Sequence, residues 1–281
     1  MRTIPYGDIV AAVKEMCLEA AFDLPEEVGR ALKRSMMKEK SALGKSVIKS
    51  LLDNADIARR DRMPLCQDTG FAVFFVDLGS SAAVGGGLLT DAINDGVRLG
   101  YGEGFLRASI VADPVFKRKN TQDNTPAVVH LSLVEGDKLR LRLLPKGGGC
   151  ENMTALAMLK PSDGMQGVVD FVVQTAIKAG PNPCPPTVIG VGIGGTADMA
   201  ATLAKKALLR PLSARHPDPD FAKMERAMLE AINASGVGPQ GLGGAITALR
   251  VHVETFPCHI ASLPVAVNFN CHAARFSERI L

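Results

Sequence analysis

Charge of one sign, aromatic residues and long apolar runs are what this sequence has little of. Its 32 Lys and Arg stand against 29 Asp and Glu, a formal net charge of +3. The positive charges are scattered rather than gathered into a stripe. Aromatic residues make up 5% of the chain, with no Trp. A nucleic-acid binder needs a basic footprint and stacking platforms, so that class has no support. No apolar run is long enough to cross a bilayer, which argues against a membrane protein. The opening Met1-Arg2-Thr3-Ile4-Pro5-Tyr6 lacks the apolar stretch of a secretory signal. Six cysteines in 281 residues do not read as a secreted disulfide scaffold. The expectation is a cytoplasmic protein with reduced thiols.

What is present is enough apolar material, 47% of residues, for a substantial core. We expect one domain over residues 1–281, of mixed α/β class: mixed sheets flanked by helices, with long Gly/Pro-rich loops. Apolar residues at helical spacing predict helices over Tyr6–Ala21, from Pro25, over Ser41–Ala58, Thr90–Leu99, Gly164–Ala179, Ala197–Leu209 and Phe221–Ala234, with another beginning at Met153. Cys17 belongs to the apolar stripe of the first, so it reads as core. Phe71–Leu78 is a continuous apolar run of strand length, and Thr187–Gly195 is a strand running into a glycine loop. Residues 127–134 and 139–144 predict a hairpin turning at Gly136-Asp137, and 245–255 and 261–268 predict two further strands. There is no internal repeat or low-complexity segment.

Three cysteines stand apart from these elements, in Pro64-Leu65-Cys66-Gln67-Asp68-Thr69-Gly70, Pro183-Cys184-Pro185-Pro186 and Asn270-Cys271-His272. Each lies in a turn-like stretch. Pro185 keeps Cys184 out of a helix or central strand. Three thiolates gathered by a fold suggest an iron–sulfur cluster with one iron left open, and an open iron is a Lewis acid. The spacing is not that of a ferredoxin loop, and there is no pair of Cys-x-x-Cys knuckles for structural zinc. The dipeptides Cys258-His259 and Cys271-His272 leave zinc as an alternative. Gly190-Val191-Gly192-Ile193-Gly194-Gly195 lacks the G-x-G-x-x-G spacing of a dinucleotide loop. Arg107 suits a carboxylate, which guanidinium holds through two parallel hydrogen bonds. Asn120, Asp123, Asn124 and Thr125 form either a polar wall near the site or a capped loop.

In order along the chain stand Pro64–Gly70; Leu106-Arg107-Ala108-Ser109; Arg118–Ala127; Lys146-Gly147-Gly148-Gly149-Cys150-Glu151-Asn152; Cys184-Pro185-Pro186 with Gly190–Gly195; Gly238-Pro239-Gln240-Gly241-Leu242-Gly243-Gly244; and Asn270-Cys271-His272-Ala273-Ala274-Arg275. Jointly these blocks resemble the α subunit, or N-terminal domain, of the class I (iron–sulfur) fumarase and L-tartrate dehydratase family. The resemblance implies an enzyme, a hydro-lyase carrying a [4Fe–4S] cluster on Cys66, Cys184 and Cys271. It implies Asp68 as the acid near the substrate hydroxyl, with His259 as its partner, and Gln67, Arg107, Gly148 and Gly149 as substrate-binding positions. The substrate implied is a small dicarboxylate: fumarate and L-malate, as in the tricarboxylic acid cycle, or alternatively L-tartrate. Cys150 after the glycine run suggests the tartrate branch, and Asp123-Asn124-Thr125-Pro126 suggests fumarase. The family's further catalytic residues belong to a β subunit, so a hetero-oligomer with that partner is expected. A non-catalytic iron–sulfur sensing protein would keep the cysteines without needing Arg107 and Asp68 in one pocket.

Overall fold

The computed structural model describes residues 1–281. In chain order the elements are β1 (Arg2–Pro5), α1 (Tyr6–Phe22), α2 (Glu26–Lys38), α3 (Ala42–Asp61), β2 (Phe71–Gly79), β3 (Ala82–Gly85), α4 (Leu89–Glu103), β4 (Val128–Val134) and β5 (Leu139–Lys146). There follow a helical turn α5 (Gly148–Glu151), β6 (Ala155–Leu159), α6 (Gly164–Ala179), β7 (Thr187–Gly194), α7 (Ala197–Ala207), α8 (Pro219–Ala234), β8 (Ala248–Phe256), β9 (Leu263–Asn270) and β10 (Ser277–Ile280). The mixed α/β class expected from the sequence is the class found.

The chain forms two compact units, each built from separate segments. The first takes residues Met1–Leu24, Ala55–Gly148 and Arg275–Leu281. Its four-stranded sheet has the order β10-β5-β2-β4, and β1 pairs with β3 in a separate parallel ribbon. Helix α1 buries Ile9, Val13, Met16, Cys17 and Ala20, the stripe read from the sequence, and Cys17 is core as expected. Phe74 of β2 is fully buried in the same core, a burial that contributes about 1.5–3 kcal/mol.

The hairpin expected between β4 and β5 does not form. Strand β2 lies between them, antiparallel to β5 and parallel to β4. Residues Ala72–Val76 are buried without interruption, and a strand apolar on both faces belongs in the middle of a sheet. The turn after β2 fills the space between the two arms. The Gly79 amide donates to Lys138 O at 2.8 Å and the Ser80 amide to Val134 O at 2.7 Å.

The second unit takes Pro25–Asn54 and Gly149–Ala274. Its sheet has the order β6-β9-β7-β8, with β7 parallel to β8 and antiparallel to β9. The helix expected from Met153 is instead β6, which pairs antiparallel with β9 from Ala155↔Val267 to Leu159↔Leu263. Ala, Leu and Met are among the strongest helix formers, but local propensity is a small energy, and a five-residue ladder on the open side of β9 overrides it. Strand β7 is buried along its whole length. A Cβ on Gly190 or Gly192 would stand 2.0 Å from the carbonyl oxygens of Ala204 and Ala200. The glycine run therefore seats α7 against the sheet, which explains a glycine pattern that lacks dinucleotide spacing.

Buried Glu39 closes this unit over a long stretch of sequence. Its carboxylate accepts the amides of Lys40 (2.8 Å) and Ser41 (2.9 Å) ahead of α3. It also accepts those of Ala245 (2.9 Å) and Ile246 (3.0 Å) ahead of β8. Burial alone would raise its pKa, but the surrounding amides hold it below the ordinary carboxylate range.

Candidate active site

In the first unit the Cys66 loop follows α3 and leads into β2. It is pinned at Leu65, which is buried and donates its amide to Ala21 O of α1 at 2.8 Å. Asp68 orders the rest. Its Oδ1 accepts the Gly70 amide at 3.0 Å, closing a capped turn, and its Oδ2 accepts the Gly148 amide at 2.7 Å. Gly70 has φ +89°, and a Cβ there would meet the Lys146 backbone at 3.0 Å, so only glycine lets the loop turn into β2.

The same unit ties Arg107 to this loop. Thr69 Oγ1 donates to Arg107 O at 2.9 Å. Asn124, fully buried, donates to Gly70 O at 3.1 Å and accepts the Ser109 amide at 2.8 Å. Tyr101 donates to Gly70 O at 2.8 Å, and burial pushes its phenol pKa up. Of the polar run 120–125, Asn120 donates to Ala108 O at 2.9 Å. Asp123 accepts the hydroxyl and amide of Thr125 and pairs with Arg98. Burial works against the Asp123 carboxylate, but Thr125 and Arg98 hold its pKa at about 2. These residues are braces for the Cys66 and Arg107 loops, while Gln67 and Arg107 themselves are exposed.

Arg275 is the residue that the sequence reading did not single out. It is 4% exposed, and its Nη1 is shut away from solvent without a hydrogen-bond partner. A Cβ on Gly147 would lie 3.2 Å from Asp68 Oδ2 and 3.7 Å from Arg275 Nη2. The missing side chain at Gly147 thus leaves a carboxylate and a buried guanidinium facing one small space. Arginine four residues after Cys271 was visible in the sequence, but nothing there distinguished it from a surface cation.

The second unit holds Cys184, Cys271, Cys150, Gly149 and His259. Cys184 is exposed in a loop, with φ +52°, and its amide donates to Pro181 O at 2.9 Å. Its carbonyl accepts the amide of His272 at 3.2 Å, and His272 Nδ1 lies 3.3 Å from the same oxygen. Gln240 donates its amide and its side-chain nitrogen to Pro185 O, each at 2.7 Å. The Cys184 and Cys271 loops are therefore laced together through His272 and Gln240. Cys150 is buried beneath them, its thiol 3.5 Å from Pro183 O, and a Cβ on Gly149 would stand 2.8 Å from Asn182 O. His259 is exposed and accepts the Ala261 amide on Nδ1 at 3.1 Å. It borders a groove of ≈ 620 Å³ with Met165, Phe221 and Ile260.

Neither unit by itself gathers three His, Cys, Asp or Glu side chains into a metal-holding group. The donor chemistry nonetheless fits a cluster. Cys66 and Cys271 are half-buried and Cys184 is exposed, all on loops and none in a disulfide. Cys17 is the contrast: burial pushes its thiol pKa up to about 12, which keeps it protonated.

The sequence profile described as fumarate hydratase (Fumerase) matches residues 10–279. The chain belongs to this family. Among its relatives is "Putative L(+)-tartrate dehydratase subunit alpha" of Methanocaldococcus jannaschii, 43% identical over 269 residues, with 94% of each chain covered. L(+)-tartrate dehydratase subunit alpha of Escherichia coli strain UTI89 is 36% identical over 254 residues, 90% of this chain and 84% of that one. The same subunit of strain K12 is 35% identical over the same lengths. The resemblance drawn from the cysteine and glycine blocks is thus the family found, and the chain is a hydro-lyase α-type chain of that family. No helix is long and apolar enough to cross a membrane.

Proposed function

We propose that this chain is the cluster-bearing α subunit of a hydro-lyase that reversibly removes water from a four-carbon 2-hydroxydicarboxylate. Its ligands are Cys66, Cys184 and Cys271, and its substrate contacts are Gln67, Arg107 and the amides at Gly148 and Gly149. The observation that carries this reading is the double hydrogen bonding of Asp68, one oxygen on Gly70 and the other on Gly148, beside Cys66. A carboxylate held in that way is oriented before substrate arrives. When bound, a [4Fe–4S] cluster with an open iron supplies the Lewis acid that eases departure of hydroxide.

The chain's own residues then have separate tasks. Arg107 holds a substrate carboxylate through a bidentate pair. Asp68 holds the proton exchanged with the substrate hydroxyl, and His259 is assigned as its hydrogen-bonding partner. Arg275 adds a buried positive charge near the same carboxylate. The proton on carbon is taken by a base from a β subunit, the partner implied by relatives named as subunit alpha.

Fumarate and L-malate are the substrate pair read from the sequence. L-tartrate is supported by the names of the relatives and by Cys150 after the glycine run. The test is anaerobic reconstitution with iron and sulfide, with and without the β subunit, assayed on L-malate and L-tartrate separately. Turnover only in the combined sample supports the split enzyme, and the faster substrate names it. A brown complex that turns over neither substrate refutes the catalytic reading and leaves a sensing role.

A further inference from the structure

In the second unit, α8 and the start of β8 enclose a cavity of ≈ 170 Å³ lined by Arg215, Ala222, Glu225, Arg226, Leu229, Arg250 and Val251. Three of these seven residues are arginines. The one acid, Glu225, is 4% exposed and already engaged: its Oε1 accepts Arg210 Nη1 at 2.7 Å and the Val253 amide at 2.9 Å. Arg210 also lies 3.8 Å from Glu254. The lining arginines are left without such compensation. Arg215 and Arg226 form no salt bridge or hydrogen bond, and Arg250 donates only to Ala214 O, at 2.6 Å.

Arg250 Nε, and Nη2 of Arg210 outside the lining, are shut away from solvent without a hydrogen-bond partner. Unmade buried donors are costly, so this part of the unit holds more guanidinium than its own acceptors satisfy. Burial lowers the pKa of Arg250, with Arg210 and Arg215 adding to the effect and Glu225 opposing it. An anion in the cavity would relieve that crowding.

We propose that this cavity binds a compact oxyanion carrying two negative charges, of the class of inorganic phosphate or a short dicarboxylate. Arg226 and Arg250 approach from α8 and β8, so two guanidinium forks meet one small anion from different elements. Planar forks match carboxylate and phosphate oxygens in pairs. The site lies wholly in the second unit, whereas Arg107 lies in the first.

The test is isothermal titration of the full chain in phosphate-free, low-salt buffer, with inorganic phosphate and succinate as separate titrants. Saturable one-site binding of either is expected, and the titrant that binds identifies the source of the oxyanion. R226Q and R250Q should each weaken it about tenfold, the loss of one charge-assisted contact, and R107A, which removes the proposed substrate contact, should leave phosphate binding unchanged. R226Q changes an exposed helix residue and guards against a fold that fails in R250Q. Binding by neither anion, binding that survives both substitutions, or phosphate binding lost in R107A would overturn the proposal.

Discussion

His252 makes acid stability a direct readout of the second unit's core. It is fully buried on β8, and neither ring nitrogen has a hydrogen-bond partner. Burial, then the nearby Arg210 and Arg250, push its pKa down to about 3. Glu225 at 4.0 Å does not reverse this. In the unfolded chain the same ring titrates near ~6.5. The folded form therefore binds fewer protons, and its stability contribution is complete above ~6.5 and is lost as pH falls toward 3. At pH 5 the unfolded state gains about 2 kcal/mol from protonating this one residue. The perturbation is His252→Leu, which removes the titration while keeping an apolar side chain of similar bulk. Urea unfolding of wild type and variant at pH 7.5 and pH 5 should show the wild type losing about 2 kcal/mol more than the variant. Equal losses would refute the assignment of a neutral, unpartnered imidazole to this position.

Three further outcomes follow from the same structure. Glu39→Gln should destabilise the chain by about 2–4 kcal/mol in urea unfolding, because one of the two acceptor oxygens shared by amides ahead of α3 and β8 becomes an NH2 that faces those donors; an unchanged midpoint would argue against that clasp. Asn124→Ala should cost about 1–3 kcal/mol and lower kcat/KM about tenfold, since Gly70 and Ser109 lose their common brace. A loss of stability with kcat/KM intact would make it structural only. Cys184→Ser should abolish the visible absorbance and lower the iron content of the reconstituted protein, whereas Cys17→Ser should leave both unchanged; the reverse pattern would displace the proposed ligand set.

Much of this fold was legible because packing and local preference agree. The α1 stripe, the unbroken apolar run of β2 and the β7 strand ending in glycines all form where their patterns place them. The failures share a cause: strand partners are chosen by the whole sheet. Residues 127–134 and 139–144 carry a hairpin pattern, but the more apolar β2 occupies the central position that a hairpin would deny it. Ala155–Leu159 has helix-favouring residues, yet its backbone completes the ladder on β9. At the candidate site, Asp68 was readable from its motif. Arg275 was not, because its burial and its closeness to Gly147 and Asp68 arise only from the fold.

The interleaved make-up of the two units has a kinetic consequence. Arg140–Leu143 must wait for Ser277–Ile280, Glu39 must find Ala245 and Ile246, and Arg2–Pro5 must meet Ala82–Gly85. Each closes a long loop before its contacts give anything in return, and chains dominated by such pairings fold slowly. Neither unit is a continuous stretch of sequence. A fragment cut at any single position removes part of at least one unit, so the cysteine loops cannot be studied by truncation, only in the intact chain.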